Sequence, residues 1–165
     1  MIIIQGMVGA GKSTLSKLLA NSNDLTLFPE PVEGNPYLEK FYESPAEFSF
    51  QMQVFLLHSR FKDTLQAGTG GGCVLDTSIY TNDLFSLLHY KSGYMSKEDY
   101  YFNYCRLSDT FKSLVRPPSL MVYLQCSTEV AVQRIMQLYR DWETDRKSTR
   151  LNSSHEIPSR MPSSA

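Results

Sequence analysis

Three observations predict an α/β fold in three layers around a doubly wound parallel sheet. Short apolar runs at residues 2–4, 25–28, 73–75 and 120–124 alternate with long stretches of helical periodicity. A glycine-rich segment, Gly6-Met7-Val8-Gly9-Ala10-Gly11-Lys12-Ser13-Thr14, stands between the first run and the first helical pattern. Glu30 and Asp76 fall at or just beyond the carboxyl ends of two later runs, the edge where open parallel sheets place ligands.

The first strand, residues 2–4, leads into a match to G-x-x-x-x-G-K-[ST], the phosphate-cradling P-loop. Glycines let the backbone curl with its N–H groups inward, and the helix that follows adds partial positive charge at its N-terminus. Gly6, Val8, Gly9, Ala10, Gly11, Lys12, Ser13 and Thr14 are therefore candidate triphosphate-binding residues, and the fold class is P-loop NTPase-like. Lys12 supplies a mobile charge. Ser13 offers a hydroxyl to the Mg²⁺ that bridges the β- and γ-phosphates. The pattern predicts a helix over 13–19, stopped by Asn21-Ser22-Asn23-Asp24, and then a strand over 25–28. Two prolines and a glycine within 30–36 mark a loop leaving that strand.

A short helix over 37–42 precedes a long one from Pro45 to about Ala67, with Phe48, Met52, Phe55, Leu56 and Phe61 on helical spacing. The four glycines within 68–72 break it, and 73–75 form a compact third strand ending at Asp76. Helices are expected over 79–89 and 96–114. Ser96 caps the second of these, with Glu98 and Asp99 in its positive first turn. Arg116-Pro117-Pro118 is a stiff stop, 120–124 a fourth buried strand, and 128 to about 140 a final helix.

At 165 residues, 42% hydrophobic and 20% charged, the chain is ordinary globular material for one domain. A net charge of −1 argues against non-specific nucleic-acid binding and leaves anionic ligands to local sites. Cys73, Cys105 and Cys126 are odd in number and far apart, which indicates neither a disulfide frame nor a zinc site. No apolar run approaches the ~20 residues a membrane span needs. A soluble cytoplasmic protein without nucleic-acid or membrane partners is expected.

A P-loop does not say what receives the phosphoryl group, so the other strand ends must. Glu30 is placed to face the γ-phosphate and take a proton from an incoming hydroxyl, or is a solvated acid in a turn. Pro31 restricts Glu30 to extended backbone. Asp76 suits the water shell of a metal, or caps the helix starting near Ile79. Gln53 and Arg60 are two helical turns apart and project from one face. Their amide and guanidinium suit a nucleobase edge, or form a solvated stripe.

Residues 6–14, Glu30-Pro31-Val32, Tyr42-Glu43-Ser44-Pro45, the helix over 50–60 and Asp76-Thr77-Ser78-Ile79-Tyr80 together resemble the deoxynucleoside kinase family, in order and at its spacings. The resemblance covers about residues 1–136 and is nearest to bacterial deoxyadenosine and deoxyguanosine kinases. It implies transfer of the γ-phosphoryl of ATP, with Mg²⁺, to the 5′-hydroxyl of a small-molecule deoxynucleoside, purine favoured, in nucleotide salvage. On this resemblance Lys12 and the loop amides hold the ATP phosphates, Ser13 and Asp76 serve the metal, and Glu30 is the catalytic base. Tyr42 bonds the sugar 3′-hydroxyl, Gln53 and Arg60 read the base, and Asn82 stands where many relatives have an aspartate. A homodimer or related heterodimer is the implied assembly of the full-length protein. Two rivals stand beside this reading: a nucleoside monophosphate kinase and a catalytically silent ATP-binding subunit.

The chain departs from the family pattern in three further places. Thr77 replaces an arginine that normally touches the phosphates, a loss worth ~2.7–4 kcal/mol by analogy with removing one oxyanion-type donor. The lid pattern Arg-x-Arg-x-x-Glu is reduced to Arg140 and Glu143. From Asp145 onward the chain resembles a translated sequencing-library adaptor, or else a natural disordered basic tail. The expected organisation is thus a kinase-like domain over 1–144, incomplete at its C-terminus, with a disordered, artefactual tail over 145–165. Poor activity or poor stability of the 165-residue chain is expected with it.

Overall fold

The structure, a computed structural model, describes the backbone of residues 1–30 and 34–153 and the side chains of 1–30 and 34–140. The chain divides into two compact units, Met1–Met7 with Gly11–Gln125, and Val8–Ala10 with the residues from Cys126 onward.

In the first unit the strands are β1 (Ile2–Gly6), β2 (Thr26–Phe28), β3 (Cys73–Leu75) and β4 (Leu120–Leu124). They pair in parallel in the order β2-β3-β1-β4, with Leu27 opposite Val74 and Ile3 opposite both Leu75 and Met121. Parallel pairing requires crossovers, and the helices α1 (Lys12–Asn23), α2 (Leu38–Glu43), α3 (Pro45–Thr69), α4 (Ile79–Lys91) and α5 (Cys105–Leu114) supply them. Side chains alternate across the sheet. Ile3, Cys73 and Leu75 therefore share one face, where they bury against Ala67 of α3 and Tyr80 of α4. Ser16 of α1 bonds Asp76 on the opposite side, so helices cover both faces. Ile3, Ile4, Val74 and Leu75 are fully buried, each worth ~1.5–3 kcal/mol of apolar transfer.

β3 is buried as expected, whereas β4 corrects the expectation of a fourth buried strand. Among the described residues β4 pairs with β1 alone, and Leu120, Met121 and Tyr123 are exposed. The helix expected over 96–114 begins with the predicted cap, since the Asp99 N–H donates to Ser96 Oγ at 3.0 Å. It then runs as a π-helical stretch, Glu98–Tyr104, before α5. The widened turns fall where Tyr100 stacks on Tyr90 at 4.9 Å and lies parallel to Tyr104. Leu57, Ile79 and Tyr104 form a second core between these helices, flanked by the stacked pair Phe61 and Phe111.

The second unit contains α6 (Thr128–Ser153). It continues past the expected stop near Arg140 because neither glycine nor proline occurs between Thr128 and Pro158 to end it. Residues 154–165 of the expected tail, and the side chain of Glu143 from the lid pattern, lie outside the described residues. Among the described residues no helix is long and apolar enough to cross a membrane.

Candidate functional site

The glycine-rich loop has the backbone that the motif requires. Gly9 and Gly11 have φ of 79° and 97°, a region that residues with a Cβ rarely enter. Gly11 caps α1 without a side-chain acceptor, which leaves the first N–H groups of that helix open to an anion. Lys12 Nζ donates to the Met7 carbonyl at 3.1 Å, and Ser13 and Thr14 are exposed. In the second unit, Arg134 Nη1 donates to the Gly9 and Ala10 carbonyls at 3.2 and 3.1 Å. Sequence reasoning gave Arg134 no role.

Asp76 follows β3 and is only 4% exposed. Its N–H donates to the Phe28 carbonyl at 3.0 Å, and its Oδ1 accepts from Ser16 Oγ at 3.5 Å. The residue capping α4 is Ser78, so the helix-cap alternative for Asp76 is removed. Thr77 beside it is buried.

Three of the sequence-predicted residues meet at a single guanidinium. Arg60, from the middle of α3, donates through Nη2 to Glu30 Oε1 at 2.5 Å and through Nη1 to Asn82 Oδ1. Asn82, from α4, donates through Nδ2 to the backbone carbonyl and to Oε1 of Gln53 at 3.3 and 3.4 Å. Ser86, one turn further along α4, donates to the same Gln53 oxygen at 3.3 Å. Gln53 and Arg60 are both buried, which excludes the solvated-stripe alternative. Burial lowers the Arg60 pKa while Glu30 opposes the shift, and the guanidinium stays charged.

Tyr42 is not part of this group. It is 75% exposed on α2, edge-on to Phe41. Phe41 in turn stacks on the buried His89, whose Nδ1 lies 2.8 Å from Ser49 Oγ, and this ties α2 to α3 and α4. Arg140 is exposed on α6. Pro31 and Val32, quoted with Glu30, lie outside the described residues.

Sequence reasoning missed Gln5 and Ser86. Gln5, at the end of β1, donates to Ser78 Oγ at 2.7 Å and accepts from Thr81 Oγ1 at 2.6 Å. A polar amide closing the apolar run Ile2-Ile3-Ile4 was the available signal for Gln5. For Ser86 the signal was its position one helical turn beyond Asn82.

The family model for deoxynucleoside kinase matches residues 2–156. A deoxyadenosine kinase of Dictyostelium discoideum is 37% identical over 145 residues, covering 87% of this chain and 59% of that protein. A deoxyadenosine/deoxycytidine kinase of Bacillus subtilis is 37% identical over 150 residues, covering 87% and 67%. The chain thus spans about three fifths to two thirds of the length of these relatives. The solved deoxyadenosine kinase from M. mycoides with bound dATP superimposes with a TM-score of 0.73 at 31% identity, over 82% of this chain and 70% of that one.

Proposed function

This chain belongs to the deoxynucleoside kinase family, and on that premise we propose that it carries the site for ATP-dependent phosphorylation of a deoxynucleoside 5′-hydroxyl. The observation that carries the reading is the joining of Glu30, Arg60, Asn82 and Gln53 into one hydrogen-bonded group, a carboxylate at one end and an amide at the other. A deoxynucleoside presents the matching pair, a hydroxyl at one end and a base edge at the other.

Arg60 occupies Oε1 of Glu30 and so orients the carboxylate, leaving Oε2 to accept the 5′-hydroxyl proton as the oxygen attacks. Gln53 and Arg60 fix the base, and Tyr42, exposed on α2, is the partner for the sugar hydroxyl. The N–H groups of the loop and of the start of α1 receive the phosphates, with Lys12 released from Met7 toward them. On the family resemblance Arg140 is a further ATP-binding residue.

Ser13 and Asp76 suit Mg²⁺. Ser13 is an exposed hydroxyl beside the loop, and Asp76 is a buried carboxylate whose ion-pair partner is absent among the described residues. Mg²⁺ in phosphoryl-transfer sites is held by one or two protein oxygens plus substrate phosphates. When bound, Mg²⁺ neutralises charge on the transferring phosphoryl.

The test is formation of a deoxynucleoside monophosphate from ATP and a deoxynucleoside. Transfer to deoxyadenosine monophosphate instead would favour a nucleoside monophosphate kinase. Thr77, buried where relatives carry an arginine, favours a second reading as a silent ATP-binding subunit. Binding of ATP without ADP formation in the presence of any deoxynucleoside would establish that one.

A further inference from the structure

The hydrogen bonds around Asn82 determine which end of the Gln53 amide is free. A guanidinium has donors and no acceptor, so the Asn82 atom that meets Arg60 Nη1 must be the carbonyl oxygen Oδ1. The Asn82 amide is thereby fixed, with Nδ2 turned toward Gln53. Nδ2 can only donate, so the Gln53 atom facing it must be Oε1. Ser86 Oγ donates to that same oxygen. An amide oxygen has two lone pairs, and both are taken. Among the described residues none accepts from Gln53 Nε2. Arg60 adds another donor, since its Nε is buried without a hydrogen-bond partner.

We infer that the Gln53 amide turns its donor end to the base and selects a 6-oxopurine over a 6-aminopurine, with Asn82 as the residue that sets the preference. The inference rests on the deoxynucleoside kinase reading. A glutamine reads adenine by pairing Nε2 with a ring nitrogen and Oε1 with the exocyclic amino group. Here Oε1 is already filled, and the adenine amino group would lose the Gln53 oxygen as its acceptor. Guanine and hypoxanthine set a carbonyl oxygen beside N7, two acceptors that match Gln53 Nε2 and an arginine N–H. An aspartate at position 82 would reverse the arrangement. One carboxylate oxygen would accept from Arg60 and the other would require a donor from Gln53, so the glutamine amide would turn and present Oε1 to the base.

Steady-state kinetics with deoxyinosine, deoxyguanosine and deoxyadenosine test this, because the first and last differ at the 6-position. The expected kcat/KM for the two 6-oxo nucleosides is roughly tenfold or more above that for deoxyadenosine. Asn82→Asp is expected to lower that ratio by roughly tenfold or more. Ser86→Ala, which frees one lone pair of Oε1 without adding charge, is expected to lower it by a smaller factor and covers the case in which the aspartate variant does not fold. Equal or better use of deoxyadenosine by the unaltered chain, or a ratio unmoved in both variants, overturns the inference while leaving the kinase reading intact. Phosphorylation of none of the three nucleosides overturns the inference, and it overturns the kinase reading as well where deoxycytidine and thymidine are not phosphorylated either.

Discussion

Arg60 Nη2 lies 2.5 Å from Glu30 Oε1, joining a side chain 3% exposed to one 37% exposed. The buried partner is held by α3 and the exposed one stands on a loop, so the arginine positions the carboxylate and not the reverse. In Glu30→Gln the amide oxygen still accepts from Arg60, but the group no longer takes a proton. Turnover is expected to fall by about 10²–10⁴-fold with ATP affinity unchanged. Rate measurements beside ATP titration check this, and undiminished turnover would remove Glu30 as the base.

A methyl group on Gly9 would lie 2.7 Å from the Ala131 carbonyl oxygen, and the φ of +79° is one that alanine adopts only with strain. The obstacle is backbone, which cannot swing aside. Gly9→Ala is expected to weaken ATP binding and to cost upward of about 1–2 kcal/mol at this position. Calorimetric titration with ATP measures the first effect and urea unfolding the second. Wild-type values in both would show that the loop is free to move away from α6.

Much of this arrangement was legible in the sequence because it rests on local rules. The loop spacing placed Gly9, Gly11 and Lys12, and the four apolar runs gave the four strands. The two-turn separation of Gln53 and Arg60 put both on one face of α3, but spacing alone did not tell whether that face is buried or solvated. Asn82 was also found, but only through family spacing, since nothing local tells a buried asparagine from an exposed one. Contacts that depend on distant pairing were not legible. Gln5 reaches Ser78 across 73 residues, and Ser86 reaches Gln53 across 33. The exposure of β4 had the same cause, because apolar composition does not reveal which strand lies at an edge. Tyr42 was named by family spacing, yet its place on α2 is set by the Phe41–His89 stack, which no periodicity encodes.

That stack predicts a pH response. Burial lowers the His89 pKa from its ordinary 6.5. On acidification the unfolded chain takes up a proton near 6.5, while the folded chain resists until a lower pH, so protons favour unfolding. The contribution is intact above 6.5 and is lost as pH falls through the lowered folded value. The urea midpoint is expected to drop between about pH 7.5 and about pH 5.5, and to drop less in His89→Gln. Equal slopes in the two proteins would show that His89 charges freely in the folded state.

Gln5 is the side chain through which β1 fixes the start of α4. Its amide uses both ends, donating to the capping Ser78 and accepting from Thr81, the residue before Asn82. Gln5→Leu removes both bonds and leaves two hydroxyls to find other partners, a loss of about 1–3 kcal/mol. The more specific consequence is kinetic. A loosened first turn displaces Asn82, so KM for the nucleoside is expected to rise more than kcat falls. Gln5→Glu separates this from a simple packing loss, because both hydroxyls can rotate to donate to a carboxylate and the grip on α4 is restored. Recovery of KM in the glutamate variant but not in the leucine variant identifies Gln5 as a positioning residue. Identical KM values in all three proteins would show that α4 holds its first turn without β1.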